Sequence, residues 1–192
     1  KHQHNFPFLT KLYKSDKIQN NKIIQGDINM KRIDKINYYL DIAETISERG
    51  TCLRKNFGAI IVKNDEIIST GYTGAPRGRK NCIDLGFCTK KKIFPDVRHS
   101  GYDACRSVHA EQNAMLSAAR KDMINADLYL VGIRHDTKKY EEGALPCQMC
   151  RKLIINSGIK NVYVRIDKNN YTTIDVNDWI QNDDLLNGKI TY

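Results

Sequence analysis

The sequence contains no hydrophobic run long enough to cross a bilayer, no internal repeat and no linker that would divide it into two halves. It also lacks the apolar core of a secretory signal near its beginning, so we expect a cytoplasmic protein without membrane association. Hydrophobic residues make up 41% and charged residues 28% of the 192 residues. This composition is typical of one globular domain with a sizeable core.

The sequence has fewer acidic than basic residues, with 22 Asp and Glu and 31 Lys and Arg, and its net charge is +9. Such a charge favours anionic partners, either a nucleotide phosphate or a nucleic acid. A composition rich in Lys, Asn and Ile raises the net charge without any function, and charge alone does not separate these alternatives. The six cysteines, without an export signal, indicate metal binding or catalysis rather than disulfides.

Hydrophobic periodicity predicts strands that alternate with helices in the second half of the chain, and therefore parallel pairing there, with an antiparallel hairpin before them. Residues 1–29 show no lasting period and are predicted to be an extension to a single domain over 30–192. A long irregular insertion is predicted at about 73–106. The predicted elements are a helix over 32–49, a hairpin over 57–62 and 67–72, helices over 108–119, 147–156 and 176–182, and strands over 127–132, 161–166 and 171–175.

Two short motifs carry the chemistry of the sequence. His109 is followed two residues later by Glu111, and Cys147 and Cys150 follow Pro146. One His and two Cys form a three-ligand zinc set that leaves a fourth position open for water, beside a carboxylate that is not a ligand. Proline suits the first turn of a helix, which would place the two thiols one turn apart. A chance combination of unrelated motifs is the alternative, but their order and the proline favour zinc.

These motifs resemble the cytidine/deoxycytidylate deaminase superfamily, and within it the deoxycytidylate (dCMP) deaminases. The glycine turn and the cysteine-bearing insertion distinguish this branch from the tRNA adenosine deaminases, which share the two zinc motifs. The similarity covers about 52–165. The segments that carry it are 51–52, 58–62, 71–78, 81–82, 105–111 and 146–150.

The resemblance implies a three-layer α/β/α fold of the cytidine deaminase type, with a mixed, mostly five-stranded sheet flanked by helices. It also implies zinc-dependent hydrolysis of dCMP to dUMP, which feeds thymidylate synthesis, with zinc held by His109, Cys147 and Cys150 and with Glu111 moving protons. Family members are often homo-oligomers, commonly hexamers, regulated by dCTP and dTTP. A nucleic-acid deaminase and an inactive zinc-stabilised binding subunit are the alternatives, and the long insertion and the intact motifs argue against them.

The resemblance also indicates substrate contacts near the glycine turn. Thr73 stands where the family usually has an Asn that contacts the sugar, which opens the question of sugar preference. An arginine fork suits a phosphate, and Arg77 and Arg106 are the favoured candidates. The complete predicted set of substrate-binding residues is Thr73, Gly74, Pro76, Arg77, Arg106 and Ala110.

A second, structural zinc is implied in the insertion, since several members of this branch carry one there. A closed zinc site takes four ligands. The alternative is a group of buried free thiols. We expect four ligands from the five candidates Cys52, Cys82, Cys88, His99 and Cys105.

Overall fold

The computed structural model describes residues 32–95, 104–183 and 186. The elements lie in the compact unit Ile33–Tyr192; the predicted extension over 1–29 and His99 fall outside the described residues. No helix in this part of the chain has both the length and the apolar character that a membrane span requires. The elements in chain order are α1 Lys35–Ser47, β1 Lys55–Lys63, β2 Glu66–Tyr72, α2 Cys82–Leu85, α3 Thr89–Ile93, α4 Ala110–Leu116, α5 Arg120–Met123, β3 Asp127–Arg134, α6 Gln148–Ser157, β4 Asn161–Arg165, β5 Tyr171–Asp175 and α7 Val176–Gln181.

The strands form one five-stranded sheet in the order β2-β1-β3-β4-β5. Only β3 and β4 pair in parallel among these strands, and the other neighbours are antiparallel. The hairpin turn at Asn64 and Asp65 has positive φ at both residues, 51° and 66°, as the tightest hairpin turns require. The predicted mixed sheet is confirmed, with the parallel pair in the second half of the chain.

Helices cover both faces of the sheet, so the predicted three-layer arrangement is confirmed. Successive side chains of a strand point to opposite faces. Ala59 and Ile61 therefore pack on the side of α4 and α6, whereas Ile60 and Val62 pack against α1. All four are buried, which explains why β1 is almost continuously apolar rather than alternating.

Two glycines allow helices to approach the sheet at backbone distance. A Cβ atom on Gly58 would lie 2.0 Å from the Ala43 carbonyl oxygen of α1, and a Cβ on Gly71 would lie 2.2 Å from the Ala110 carbonyl oxygen of α4. Neither contact can be relieved by moving a flexible side chain, because both partners are backbone. Glycine is required at these positions for close packing, and Gly71 sets how α4 lies on β2.

Gly71→Ala is therefore expected to displace α4, to weaken metal binding at its start and to destabilise the fold by about 1–3 kcal/mol or more. Gly58→Ala is the matched control, since it displaces α1 on the opposite face and is expected to reduce stability without loss of bound metal. Thermal unfolding and metal analysis of the two variants provide the measurement. Equal metal loss in both variants would contradict a specific role for Gly71.

The structure differs from the predicted secondary structure in two segments. The predicted helix over 108–119 is shorter, because Val108 is held in an isolated β-bridge with Gly74 and the helix begins at Ala110. The segment predicted to be irregular contains α2 and α3; the Asp84 carboxylate accepts a hydrogen bond from the Asn81 N–H at the start of α2.

Candidate active site

A cavity of about 660 Å³ opens beside the starts of α4 and α6. A volume of this size is typical of small-molecule sites. Its wall combines residues of the sheet, of the insertion and of the loop that precedes α6. Among the described residues, it is lined by Cys52, Arg54, Lys55, Phe57, Thr73, Cys88, Lys90, Lys91, Phe94, Pro95, Cys105, Ser107, His109, Glu111, Glu141, Glu142, Gly143, Ala144, Leu145 and Cys147.

Two helix starts hold the predicted metal ligands. His109 is the N-cap of α4 and Cys147 is the N-cap of α6, while Cys150 lies in the first turn of α6. Pro146 precedes the N-cap and stands two positions before the first helical residue, Gln148, so the expectation that it lies in the first turn was wrong. The positive ends of both helices face the ligand atoms, which favours thiolates at the two cysteines.

The three candidate ligands converge on one point. The Nδ1 atom of His109 lies 3.4 Å from the Cys147 sulfur and 3.4 Å from the Cys150 sulfur. All three ligand atoms lie within 4.8 Å of one another, and no other such group of three was found among the described residues. A tetrahedral zinc with bonds of ~2.0–2.1 Å to nitrogen and ~2.3 Å to sulfur separates such ligands by about 3.5 Å. The residues therefore fit a zinc ion bound through Nδ1.

Burial and hydrogen bonding perturb the acid–base groups of the site. The hydrogen bond between the two thiols lowers the pKa of Cys147 and raises that of Cys150. Burial lowers the pKa of His109, but its hydrogen bond with Cys147 and the charge of Glu111 outweigh burial, so the pKa is raised overall; the charge of Lys90 opposes this rise. Burial raises the pKa of Glu111, whose side chain is only 4% exposed.

Arg151 holds the start of α6 in place and was not anticipated from the sequence. Its Nε atom donates a hydrogen bond of 3.0 Å to the carbonyl oxygen of Pro146, and its guanidinium stacks over Trp179. The backbone N–H of Arg151 donates to the carbonyl of Cys147. Arg151 therefore holds the backbone on both sides of the Cys147 Cα atom. The position of Arg151 in the sequence does not indicate that it belongs to the site.

Thr73 and Gly74 are both predicted to bind substrate, and of the two only Thr73 lines the cavity. Thr73 lines the cavity and is 7% exposed, and its hydroxyl oxygen accepts a hydrogen bond from the Phe57 N–H. The backbone N–H and C=O groups of Gly74 both form hydrogen bonds with the backbone of Val108. These bonds join the glycine turn to the segment that leads into His109. Gly74 thus positions the site by its backbone.

The remaining predicted substrate residues do not line this cavity. Pro76 and Arg77 are exposed in a turn, closed by a hydrogen bond from the Arg79 N–H to the Pro76 carbonyl. The Arg106 guanidinium donates to the Lys80 carbonyl, at 3.1 Å from one terminal nitrogen. Ala110 is buried against β2. Contact between these residues and a substrate stays a prediction.

Four cysteines of the insertion and its surroundings form a second group, Cys52, Cys82, Cys88 and Cys105. The Thr51 hydroxyl donates to the Asn81 side chain, which brings the segment of Cys52 to the start of α2. The Thr89 hydroxyl donates to the Ala104 carbonyl, which joins the start of α3 to the segment of Cys105. Burial raises the pKa of Cys82 most, and the charges of the other three thiols raise it further. Among the described residues, however, no three of these sulfur atoms gather as closely as the ligand atoms of the His109 group.

Four cations of the cavity wall were not predicted as site residues, Arg54, Lys55, Lys90 and Lys91. Arg54 precedes β1 and Lys55 begins it. Basic residues at the start of a strand are typical of an ordinary solvent-exposed surface. Lys90 and Lys91 belong to a run of three lysines in the insertion. No local pattern distinguishes the two lysines that line the cavity from Lys92, so only the fold could identify them.

Comparison with known proteins agrees with the chemistry of the site. The sequence model described as "Cytidine and deoxycytidylate deaminase zinc-binding region" matches residues 33–166. The deoxycytidylate deaminase of Mycobacterium phage D29 is 37% identical over 137 residues, which are 69% of this chain and 95% of the phage protein. That of Schizosaccharomyces pombe is 33% identical over 126 residues, 65% of this chain and 35% of the yeast protein.

Among solved structures, the dCMP deaminase of cyanophage S-TIM5 in complex with dCMP and dUMP is similar to this chain, with 27% identity and a TM-score of 0.47. The match covers 70% of this chain and 84% of that chain. The fold and the His–Cys–Cys site define a zinc-binding deaminase domain. The chain belongs to the cytidine and deoxycytidylate deaminase family.

Proposed function

We propose that the protein is a zinc-dependent hydrolase that deaminates dCMP to dUMP with release of ammonia, and so supplies a precursor of thymidylate. The observation that carries the proposal is the convergence of the His109 Nδ1 atom and two cysteine sulfurs beside a buried carboxylate. Several similar proteins are named deoxycytidylate deaminases, among them the phage protein of which this chain covers 95%.

His109, Cys147 and Cys150 would hold the zinc ion. When bound, zinc acts as a Lewis acid that makes water reactive near neutral pH. Glu111 accepts one proton from the water that attacks C4 and delivers it to N3 of the cytosine ring. It then takes the remaining proton from the new C4 hydroxyl and passes it to the amine, so that the C4–N bond breaks, the C4 carbonyl forms and ammonia leaves. Glu111 is buried beside His109, which keeps bulk water away from the transferred protons. It lies in the first turn of α4, next to the proposed zinc ligands. Thr73 is proposed to meet the sugar from the cavity wall.

We also propose a structural zinc bound by four of Cys52, Cys82, Cys88, His99 and Cys105. The electrostatic effect of the other three thiols on Cys82 supports this site, and the two hydroxyl hydrogen bonds that join their segments provide a frame for it. Such an ion would stabilise an insertion that has little apolar core of its own. The homo-oligomer, its regulation by dCTP and dTTP and a cytoplasmic location remain predictions of the resemblance.

The test is ammonia release from dCMP, CMP, deoxycytidine, dCTP and a tRNA anticodon stem, measured as kcat/KM with the purified protein. We expect dCMP to be the best substrate, because a site built for a phosphate leaves its cations unpaired when a nucleoside binds. Comparable rates with CMP would show that Thr73 relaxes the choice of sugar. Ammonia release from the tRNA stem alone would favour a nucleic-acid deaminase. No ammonia release from any compound would favour an inactive zinc-stabilised binding subunit.

A further inference from the structure

The four cations that line the candidate active site differ in whether the protein itself already engages them. The Lys55 ammonium lies 2.5 Å from a carboxylate oxygen of Glu141 and forms an ion pair with it. Lys90 is buried and has interactions within the protein. The other two cations of the wall, Arg54 and Lys91, are exposed. An anionic ligand that enters the cavity therefore meets these two side chains.

Arg54 combines a fixed backbone with an unengaged side chain. Its carbonyl oxygen accepts a hydrogen bond of 2.9 Å from the His135 N–H, and its own N–H donates to the Cys52 sulfur at 3.4 Å. Within the part of the chain that the structure describes, its guanidinium forms no hydrogen bond and no ion pair. The planar fork of five N–H donors is therefore available to a ligand, on a backbone that the neighbouring segments hold in place.

Arg54 lies at the exposed end of the cavity, whereas the proposed reaction centre lies at the buried end, where Glu111 is only 4% exposed. Strand β1 begins next to Arg54 and leads inward to Phe57, whose N–H donates to the Thr73 hydroxyl oxygen. A nucleotide carries its base and its 5′-phosphate on opposite sides of the sugar. If the base reaches Glu111 and the sugar meets Thr73, the phosphate is directed to the exposed end.

The other cations considered for a phosphate are less suitable than Arg54. Arg77 and Arg106, which the sequence favours, do not line the cavity, and the Arg106 guanidinium donates to the Lys80 carbonyl. Lys91 lines the cavity from the five-residue helix α3 and offers one compact ammonium. A guanidinium can donate two parallel hydrogen bonds to two oxygens of one phosphate, which an ammonium does not match.

We propose that Arg54 binds the 5′-phosphate of the nucleotide substrate and thereby determines that monophosphates are deaminated in preference to nucleosides. The inference rests on the proposed function and assigns its phosphate selectivity to one residue at the start of β1. Hydrogen bonds between charged groups are the stronger ones, but water and salt screen a contact at the open end of a cavity. The expected contribution is therefore about 10- to 30-fold in kcat/KM.

The experiment compares Arg54→Gln, Arg54→Lys and Arg49→Gln with the wild type, on dCMP and on deoxycytidine. Arg49 is the matched control, because it is an exposed arginine of the same connection between α1 and β1 and does not line the cavity. We expect Arg54→Gln to lose about 10- to 30-fold in kcat/KM for dCMP, mainly through KM, while the weak deoxycytidine reaction falls little. Arg54→Lys should recover part of the loss, and Arg49→Gln should behave as wild type.

Two further measurements separate phosphate binding from a structural effect. The dissociation constant of the product dUMP, measured by calorimetry, should rise in Arg54→Gln by about the same factor as KM, whereas that of deoxyuridine should not. The KM for dCMP should increase with ionic strength in the wild type and less so in Arg54→Gln, because the screened ion pair has been removed. Zinc content and thermal unfolding report whether the variants have folded correctly.

Equal losses on dCMP and deoxycytidine in Arg54→Gln would show that Arg54 supports the fold or the reaction centre, and would overturn the inference. Unchanged dCMP kinetics in this variant would also overturn it, and a loss confined to Lys91→Gln would assign the phosphate to the insertion instead. Failure of the wild type to deaminate either compound would reject the proposed function itself, so the two failures are distinguishable.

Discussion

Glu111→Gln is expected to keep its zinc and to lose nearly all turnover of dCMP, by ~10²–10⁴-fold or more. Glutamine matches glutamate in shape and fits the same buried position at the start of α4, where only 4% of the residue is exposed. It cannot accept or deliver a proton. Because the change preserves the packing against β2, we expect the thermal unfolding midpoint to stay close to that of the wild type.

The measurement is kcat for dCMP together with zinc content and thermal unfolding. Glu142→Gln is the control, since it removes a carboxylate from the wall of the same cavity without touching the ligand set, and should keep most of its turnover. Near-normal kcat in Glu111→Gln would remove this residue from the mechanism. A large loss in both variants would show instead that the negative charge of the cavity, rather than proton transfer at Glu111, governs the rate.

Metal analysis of the wild type is expected to give two zinc ions per chain, and Cys147→Ser should remove one of them together with activity. The Cys147 sulfur lies 3.4 Å from the His109 Nδ1 atom and Cys147 forms the N-cap of α6, so its loss leaves an open ligand set. Serine is a poor zinc ligand, because its hydroxyl stays protonated at neutral pH whereas a thiolate forms readily. The fold should persist, since the core on this side does not depend on one sulfur.

Cys82→Ser is expected to remove the other zinc and to lower the unfolding midpoint by more than roughly 5 °C, at ~2–4 °C per kcal/mol in a chain of this size. Cys82 is buried and is one of the candidate ligands, so its replacement would leave the proposed ligand set incomplete. Single replacements of the other candidates identify the ligands, because the one that leaves the zinc content unchanged is not a ligand. A wild-type content of one zinc, unchanged in Cys82→Ser, would exclude the structural site.

The secondary structure was largely predictable because its signals are local. The apolar spacing of α1, the Asn64–Asp65 turn and the glycine after α6 depend on neighbouring residues alone, and each predicted element was confirmed near its expected place. The start of α4 was misplaced because a tertiary contact, the bridge between Gly74 and Val108, withdraws Val108 from the helix. The helices α2 and α3 were missed because each is only about one turn long.

The sequence by itself determined the chemistry of this protein. The spacing from His109 to Glu111 and from Cys147 to Cys150 brings each pair to the first turn of one helix, whatever surrounds them. Only the tertiary structure decided that these two helix starts face each other and which cations line the cavity. Lys90 is the buried member of a run of three lysines, and its burial depends on contacts with other parts of the fold. The sequence does not show whether a charged side chain points into a cavity or into solvent, because burial depends on the whole fold.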